Sequence, residues 1–141
     1  MDSNFIFDVS YYDQVNDQFR KIIDNEKEKM LQASMQIAQS ITNTGLVHIF
    51  GTGHSHIFGE EAFYRAGGLA CINPILEPSL MLHAGAMKSS ALEDLEGYAD
   101  KIFNHIQPEK SDIFIIFSNS GVNHVPVEMA QKVKEFQLPL N

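Results

Sequence analysis

The sequence lacks several features that would assign it to a common class of protein. Its 141 residues contain one cysteine, so no disulfide can form within the chain. Basic residues are few, ten against eighteen acidic ones, and the net charge of −8 disfavours a nucleic-acid partner. No apolar run approaches the roughly 18 residues of a membrane span, and the first residues lack the basic start of a signal peptide. We therefore expect a cytoplasmic protein that binds neither nucleic acid nor membrane.

The first third of the chain has the pattern of a long helix. Apolar side chains recur at helical spacing over residues 9–42, which predicts one long helix or two in line. The middle of this segment, residues 24–29, is purely polar and is expected to lie in solvent or to bend. A helix of this length could also pack against a second subunit. We divide the chain accordingly into an N-terminal helical segment, residues 1–44, and an α/β domain, residues 45–141.

A short apolar strand followed by a glycine turn organises the α/β domain. Residues 46–50 are mostly apolar and stop at Gly51, as expected of a strand buried in a parallel sheet. Gly51 and Gly53 have no Cβ, so backbone amides of the turn can approach a ligand closely. Ser55 stands where the next helix begins and can cap that helix or bind an anion. Free amides and the positive end of the helix dipole then converge on one point, which suits a phosphate.

Three better-known glycine motifs do not fit this turn. A dinucleotide fingerprint needs a third glycine where His56 stands, and an acidic residue where the chain has residues 71–73, Cys-Ile-Asn. The triphosphate loop needs a Gly-Lys-Ser or Gly-Lys-Thr ending, which is absent, and the hydrolase elbow needs glycine in place of Ile57. We therefore expect no nucleotide cofactor, and the sequence indicates no other cofactor.

Strands and helices alternate through the rest of the domain. In order, the patterns predict a helix over 57–66, a strand over 69–73, a loose loop over 84–90, a helix over 92–106, a strand over 113–117 and a helix over 125–136. The last strand ends in a second hydroxyl-rich turn that leads into a helix, as the first turn does. This alternation predicts a three-layer αβα fold with a doubly wound parallel sheet, in which ligands bind beyond the carboxyl ends of the strands. The two turns should therefore converge on one site.

The two turns resemble the ligand loops of the sugar isomerase (SIS) domain family. That family has the pattern strand-Gly-x-Gly-x-Ser-helix and later strand-Ser-x-Ser-Gly-x-Thr-helix, and this chain has GTGHS at 51–55 and SNSGVN at 118–123. The resemblance implies that Ser55, Ser118 and Ser120 hold the phosphate of a phosphorylated sugar or amino sugar without help from lysine or arginine. Asparagine replaces the usual threonine at the end of the second loop and can still donate a hydrogen bond. The implied binding residues are Gly51, Thr52, Gly53, His54, Ser55, His56, Ser118, Asn119, Ser120, Gly121 and Asn123.

The resemblance covers only the first part of a SIS domain. Such domains continue through further strands and a C-terminal helix, so we expect about three of five strands here, with the C-terminal strands of the family fold missing. An uncovered sheet edge favours association, and we expect a homodimer or a homotetramer.

Within the family, the strongest likeness is to an uncharacterised subgroup that carries the label of phosphoheptose isomerase. It runs through the segments 54–56, 63–68 and 73–78. Phosphoheptose isomerases have further histidine and glutamate residues on the helix after the first loop, where this chain has Glu61, Tyr64 and Arg65. The resemblance implies a sugar-phosphate isomerase-like protein that interconverts aldoses and ketoses by proton transfer.

Aldose–ketose isomerisation needs a base that moves a proton between adjacent carbons, and usually a group that helps to open the sugar ring. Glu77, in a proline-bounded loop, is a candidate base, because arabinose phosphate isomerases of the family have a similar segment. The alternative is a structural or exposed carboxylate. Glu60 and Glu61 face different sides of a predicted helix, so at most one can reach the site, and both could face solvent. Glu61 is retained as a candidate, and His83 is an alternative ring-opening acid.

The other histidines and an arginine have competing interpretations. His54 and His56 flank the serine of the first turn and could contact the ligand, but no third metal ligand accompanies them, so we predict no metal site. His48, inside the first strand, is expected to be packed. Arg65 either reaches an anionic ligand or pairs with Glu61 four positions earlier.

Two functions other than catalysis remain open at this stage. A SIS domain can act as a non-catalytic module that senses a sugar phosphate, as in transcription regulators of the family. The chain could also be a partial fold that is retained for assembly.

Overall fold

The computed structural model describes residues 10–141, and a single long helix, α1, runs Ser10–Thr42. The predicted start of this helix at residue 9 lies outside the described residues. The chain divides into two compact units, and the boundary between them follows Met35. In the first unit, large apolar side chains of α1 such as Phe19 and Ile23 are exposed. The boundary that we predicted between residues 44 and 45 stays a prediction.

The second unit, Gln36–Asn141, contains the last turns of α1 and the α/β domain. Its regular elements, in chain order, are β1 (Val47–Gly51), α2 (Ile57–Ala62), β2 (Ile72–Ile75), α3 (Ala86–Glu93), α4 (Tyr98–Ile106), β3 (Ile113–Phe117) and α5 (His124–Glu135). None of the helices within residues 10–141 combines the length and the apolar character that crossing a membrane requires.

The three strands form one parallel sheet in the order β2-β1-β3, which confirms the predicted doubly wound α/β fold. β1 is the central strand and is buried along its whole length, as its apolar run predicted. The edge of β3 that faces away from β1 is paired with the last residues of the chain. The Phe114 N–H donates to the Pro139 carbonyl at 3.0 Å, and the Asn141 N–H donates to the Phe114 carbonyl at 3.0 Å.

Apolar side chains pack on both faces of the sheet, as a buried parallel sheet requires. On one face, Phe50 and Phe114 pack with α4 and α5 through Phe103 and Met129. The rings of Phe103 and Phe114 stack with their centroids 5.8 Å apart. On the other face, Val47, Ile49 and Ile113 are covered by side chains that include Ile37 and Ile41 of α1 and Ala62 of α2.

A buried hydrogen-bond network joins the amino ends of the three strands. Asp112, directly before β3, is only 4% exposed, and its carboxylate accepts from the Leu46 N–H at 2.7 Å, the Glu109 N–H at 2.8 Å and His48 Nε2 at 2.9 Å. The Asn73 amide of β2 donates to His48 Nδ1 at 2.8 Å, and the opposite ring nitrogen, Nε2, donates to Asp112. Burial alone would raise the pKa of Asp112, but the hydrogen bonds from Leu46, His48 and Glu109 lower it below its ordinary value of 3.8. The prediction of a packed His48 is confirmed.

The predicted end of the helix after the first loop was wrong. α2 ends at Ala62 rather than at residue 66, because Phe63 is extended (φ −91°, ψ 143°) and Tyr64 has a positive φ of 49°. The second strand was also misplaced. It runs over 72–75 instead of 69–73, and it contains Pro74, whose missing N–H is tolerated because β2 is an edge strand.

The segment between β2 and β3 differs most from the prediction. The loop expected over 84–90 is largely the helix α3, and the single helix expected over 92–106 is two helices. Gly97, with φ 77°, separates α3 from α4, and its N–H donates to the Glu128 carboxylate at 2.9 Å. The sequence of α3 shows no helical pattern of apolar residues because many of its residues are small or polar, although Ser89 within it is buried.

Candidate functional site

The first loop follows β1 directly and folds as a short 3-10 helix, Gly53–His56. Only glycine fits at Gly51, because a Cβ there would lie 2.5 Å from the carbonyl oxygen of Ser55. Gly53 has φ +55°, a conformation that favours glycine. The Ser55 N–H closes the turn by donating to the Thr52 carbonyl at 2.9 Å. Within residues 10–141 the Ser55 hydroxyl makes no hydrogen bond, so it is available to a ligand.

The second loop follows β3 and orders its serines by local hydrogen bonds. The Gly121 N–H donates to Ser118 Oγ at 3.0 Å, and the Val122 N–H donates to Ser120 Oγ at 3.4 Å. Ser120 Oγ in turn donates to Asn123 Oδ1 at 3.4 Å. The Ser118 hydroxyl therefore serves the loop as an acceptor while its own proton stays free to donate to a ligand.

The two loops meet at the same edge of the sheet. They leave the adjacent parallel strands β1 and β3, whose ends are in register at Gly51 and Phe117. Between them lies a cleft of about 440 Å³. Its lining residues are His54, Ser55, Ile57, Phe58, Phe117, Ser118 and Asn119. The rings of Phe58 and Phe117 stack with their centroids 4.2 Å apart and supply an apolar surface beside the hydroxyls.

The start of α5 adds hydrogen-bond donors near the second loop. The N-cap residue Asn123 makes no side-chain cap, and the first amides of a helix have no partner within the helix. The dipole of this 12-residue helix favours an anion at the same end. Neither lysine nor arginine lines the cleft. An anion bound here would therefore be held by hydroxyl and amide groups.

His56 is turned away from the cleft, in contrast to the neighbouring His54, which lines it. Its Nδ1 bonds to the Gly53 carbonyl, and its Nε2 lies 3.4 Å from Glu60 Oε1. The ring of His83 stands edge-on against that of His56 with the centroids 5.6 Å apart. His83, predicted from sequence as a ring-opening acid, is therefore brought beside the first loop.

A carboxylate that the sequence analysis missed reaches the first loop from α3. The hydroxyl of Thr52, a buried residue, donates to Glu93 Oε1. The next residue, Asp94, places Oδ1 3.9 Å from Nδ1 of His124, which follows the second loop. The last residue of α3 thus contacts the first loop, and the residue after it lies close to the start of α5, which follows the second loop. Spacing could not reveal this contact, since Thr52 and Glu93 are 41 positions apart.

Two carboxylates proposed as catalytic lie elsewhere. Glu77 lines a different cleft, and its side chain accepts from the Ser79 N–H at 3.1 Å. Glu61 is exposed and pairs with Arg65, the ion pair that was one of the two interpretations of that arginine. The structure therefore does not bring Glu61 or Glu77 to the cleft between the loops.

No group of three histidine, cysteine, aspartate or glutamate side chains within residues 10–141 is arranged to hold a metal ion. His54 and His56, the histidine pair considered from the sequence, also diverge, because one lines the cleft and the other faces Glu60.

Comparison with known proteins identifies relatives along most of the chain. The sequence model of one protein family, the SIS domain, matches residues 10–140. A UPF0309 protein of Geobacillus kaustophilus is 41% identical over 125 residues, which cover 89% of this chain and 50% of the relative. A UPF0309 protein of Listeria monocytogenes serotype 4b is 48% identical over 114 residues, covering 81% of this chain and 46% of the relative. The chain spans about half the length of the curated relatives it matches.

Proposed function

The chain belongs to the SIS domain family, and on that basis we propose that its two serine loops bind the phosphate of a phosphorylated sugar or amino sugar. The observation that carries the proposal is the shared cleft, lined by Ser55 from one loop and Ser118 from the other. Both side chains can donate a hydroxyl proton into it. Amides at the start of α5 would add further donors, and the helix dipole would favour the anion.

The sugar would extend from the phosphate over the apolar part of the cleft. The stacked rings of Phe58 and Phe117 offer a flat surface to the C–H groups of a sugar, while the His54 side chain lines the same cleft and can bond to hydroxyls. A cleft of about 440 Å³ has the size usual for a small-molecule site.

We further propose an aldose–ketose isomerisation in which Glu93 moves the proton and His83 assists ring opening. Glu93 is favoured over Glu77 because its carboxylate already contacts the first loop through Thr52, whereas Glu77 lines another cleft. An isomerase base must stand within hydrogen-bond reach of the carbon-bound proton, and such contacts often tighten only when substrate binds.

A module that binds a sugar phosphate without turning it over is the second candidate. It is favoured by the dispersal of the sequence-predicted catalytic groups, since neither Glu61 nor Glu77 reaches the loops. Glu93→Gln separates the two functions, because glutamine can still accept from Thr52 but cannot act as a base. Loss of isomerisation with unchanged binding would support catalysis. Unchanged turnover would exclude Glu93 as the base.

Self-association as a homodimer or homotetramer is also proposed. The first unit exposes a row of large apolar side chains on α1, including Tyr12, Phe19, Ile22, Ile23 and Met30. Contiguous exposed apolar surface of this kind usually marks an interface. Light scattering on the purified chain would test this, and a monomer at all concentrations would contradict it.

The test of phosphate binding is thermal stabilisation by a panel of sugar phosphates and the matching unphosphorylated sugars. A ligand at 100 times its Kd stabilises the folded state by about 2.7 kcal/mol, which raises the Tm by several degrees. Ser55→Ala should abolish the shift, because it removes a hydroxyl from the cleft. Ser90→Ala, at an exposed serine outside the cleft, is the matched control. A shift that survives in Ser55→Ala, or that unphosphorylated sugars reproduce, would refute the proposal.

A further inference from the structure

A second cleft, separate from the serine loops, lies between β2 and α4. Its volume is about 600 Å³, and no residue lines both clefts. One face of α4 supplies Tyr98, Lys101 and His105, which are spaced one turn apart. The loop that follows β2 supplies Glu77 to the same cleft. This cleft also has the size of a small-molecule site.

Groups of opposite charge line this cleft without neutralising each other. The Glu77 carboxylate accepts from a neutral donor, the Ser79 N–H at 3.1 Å, and lies beside the Tyr98 hydroxyl. Lys101 and His105 are exposed, and neither forms a hydrogen bond or an ion pair in the described part of the chain. Glu77 and Lys101 therefore line the same cleft without forming a direct ion pair. A ligand that carries both charges could satisfy both groups.

The Tyr98–Glu77 contact is partly shielded from water. Burial raises the pKa of Tyr98 above its ordinary value of 10.0, and the neighbouring Glu77 carboxylate raises it further. Tyr98 therefore keeps its proton at neutral pH. A protonated Tyr98 can donate to Glu77, and the carboxylate, which has about four acceptor positions, can still accept from a ligand.

An added peptide strand is a poor fit to this cleft. The Val47 N–H donates to the Cys71 carbonyl. The backbone polar groups of Cys71 and of every second residue after it along β2 therefore point toward β1. Pro74 then faces the free edge, where it offers no N–H in the middle of the strand. A strand placed there would lose a central hydrogen bond, whereas a small molecule that uses the side chains would not.

We propose that the cleft between β2 and α4 binds a small zwitterion, with the ammonium group at Glu77 and the anionic group at Lys101 and His105. An amino-sugar phosphate and a free amino acid share this chemistry. The proposal is independent of the serine loops, because none of its residues lines the cleft between them.

The test is a titration of the ¹⁵N-labelled full chain followed by amide chemical shifts. Glucosamine 6-phosphate and L-glutamine are the two zwitterionic probes. Glucose 6-phosphate lacks the ammonium group, and glucosamine lacks the phosphate. We expect at least one zwitterion to shift the amides of residues 98–106 saturably, with at least tenfold weaker binding of the compounds that lack one charge. The probe that saturates identifies the source of the ligand.

Variants assign the charges. Lys101→Gln and Glu77→Gln should each weaken binding at α4 about tenfold, the usual scale for losing a charged hydrogen bond. Lys101 is exposed and unpaired, so its variant keeps the fold. Lys88→Gln, at an exposed lysine of α3 that does not line the cleft, is the control.

The outcomes separate this site from the proposed function. No saturable shift over 98–106 with either zwitterion would overturn the inference, as would equal affinity for glucose 6-phosphate. Shifts confined to residues 52–56 and 118–123 would support phosphate binding by the serine loops and overturn the second site. Saturable shifts over 98–106 that weaken in Lys101→Gln would establish the second site even if the serine loops did not respond.

Discussion

Replacement of Asp112 by asparagine tests whether the buried network holds the three strands in register. The carboxylate accepts three hydrogen bonds, from two backbone amides and from His48, and almost none of it is exposed. Asparagine has the same shape, and its oxygen can still accept from the Leu46 N–H. Its NH₂ group would then face the Glu109 N–H and the His48 Nε2–H, which are both donors.

The expected loss of stability follows from those contacts. One hydrogen bond to a charged acceptor becomes a weaker neutral one, and one or two buried donors lose their acceptor at about 1–3 kcal/mol each. The free energy of unfolding should fall by about 2–4 kcal/mol in Asp112→Asn. For a urea m value of about 2 kcal/mol per molar, in the middle of the usual range, the unfolding midpoint should fall by about 1–2 M.

The pH dependence adds a second signature to Asp112→Asn. Because the folded-state pKa of Asp112 is depressed below 3.8, the carboxylate contributes stability that is present above that value and is lost as the pH falls through the folded-state pKa. The stability difference between wild type and variant should be constant near neutral pH and shrink below pH 3.8.

Urea unfolding over this pH range measures the difference, and Asp24→Asn, at an exposed aspartate of α1, is the control. A variant as stable as the wild type at neutral pH would refute the reasoning. A difference that stayed constant under acid would show that Asp112 is not the titrating group. Long-range ¹⁵N–¹H spectra should also show the proton of His48 on Nε2 in the wild type.

Three further changes probe the loops, the second cleft and the core. Gly51→Ala should cost about 1–3 kcal/mol by urea unfolding and remove the phosphate-dependent Tm shift, since a Cβ would lie 2.5 Å from the Ser55 carbonyl; an unchanged shift would contradict the loop geometry. Tyr98 has a raised pKa, so its contribution to stability is present below pH 10.0 and lost as the pH rises through the folded-state value. Tyr98→Phe should lessen that alkaline loss, and an identical alkaline profile would argue against the shift. Phe103→Ala should destabilise by about 3–5 kcal/mol in the same unfolding assay, because the ring is buried between Phe114 and Phe136; a cost below about 1 kcal/mol would show that this core is loosely packed.

The parts of the fold that sequence predicted well are those encoded by neighbouring residues. β3 begins and ends at the limits of its uninterrupted apolar run. The glycine loop directly follows β1, and the serine loop directly follows β3. A strand buried on both faces needs apolar residues at every position, so its signal is local and strong. The edge strand β2 has a weaker signal, because an edge tolerates Pro74 where a central strand would not.

The helices between β2 and β3 could not be placed by periodicity. α3 carries small and polar residues, and its position depends on contacts such as that of Glu93 with Thr52, which are made only in the folded domain. Gly97 adopts a positive φ and separates α3 from α4, but a glycine within a helical pattern is compatible with either a break or a continuous helix. The sequence therefore left the number and the bounds of the helices ambiguous in the crossover, the segment that connects β2 to β3.

The same distinction explains why the meeting of the two loops could be predicted from sequence, whereas the positions of the candidate catalytic carboxylates could not. The proposed phosphate donors lie on loops at the ends of adjacent parallel strands, so the order of motifs along the chain is sufficient to bring them together. Carboxylates come from the crossover, whose helices can approach either loop or neither. Glu77 was a candidate because its segment resembles that of arabinose phosphate isomerases, yet β2 is the edge strand farthest from β3, and Glu77 lines the cleft between β2 and α4. Glu93 lies mid-crossover and still reaches the first loop, because α3 ends beside it.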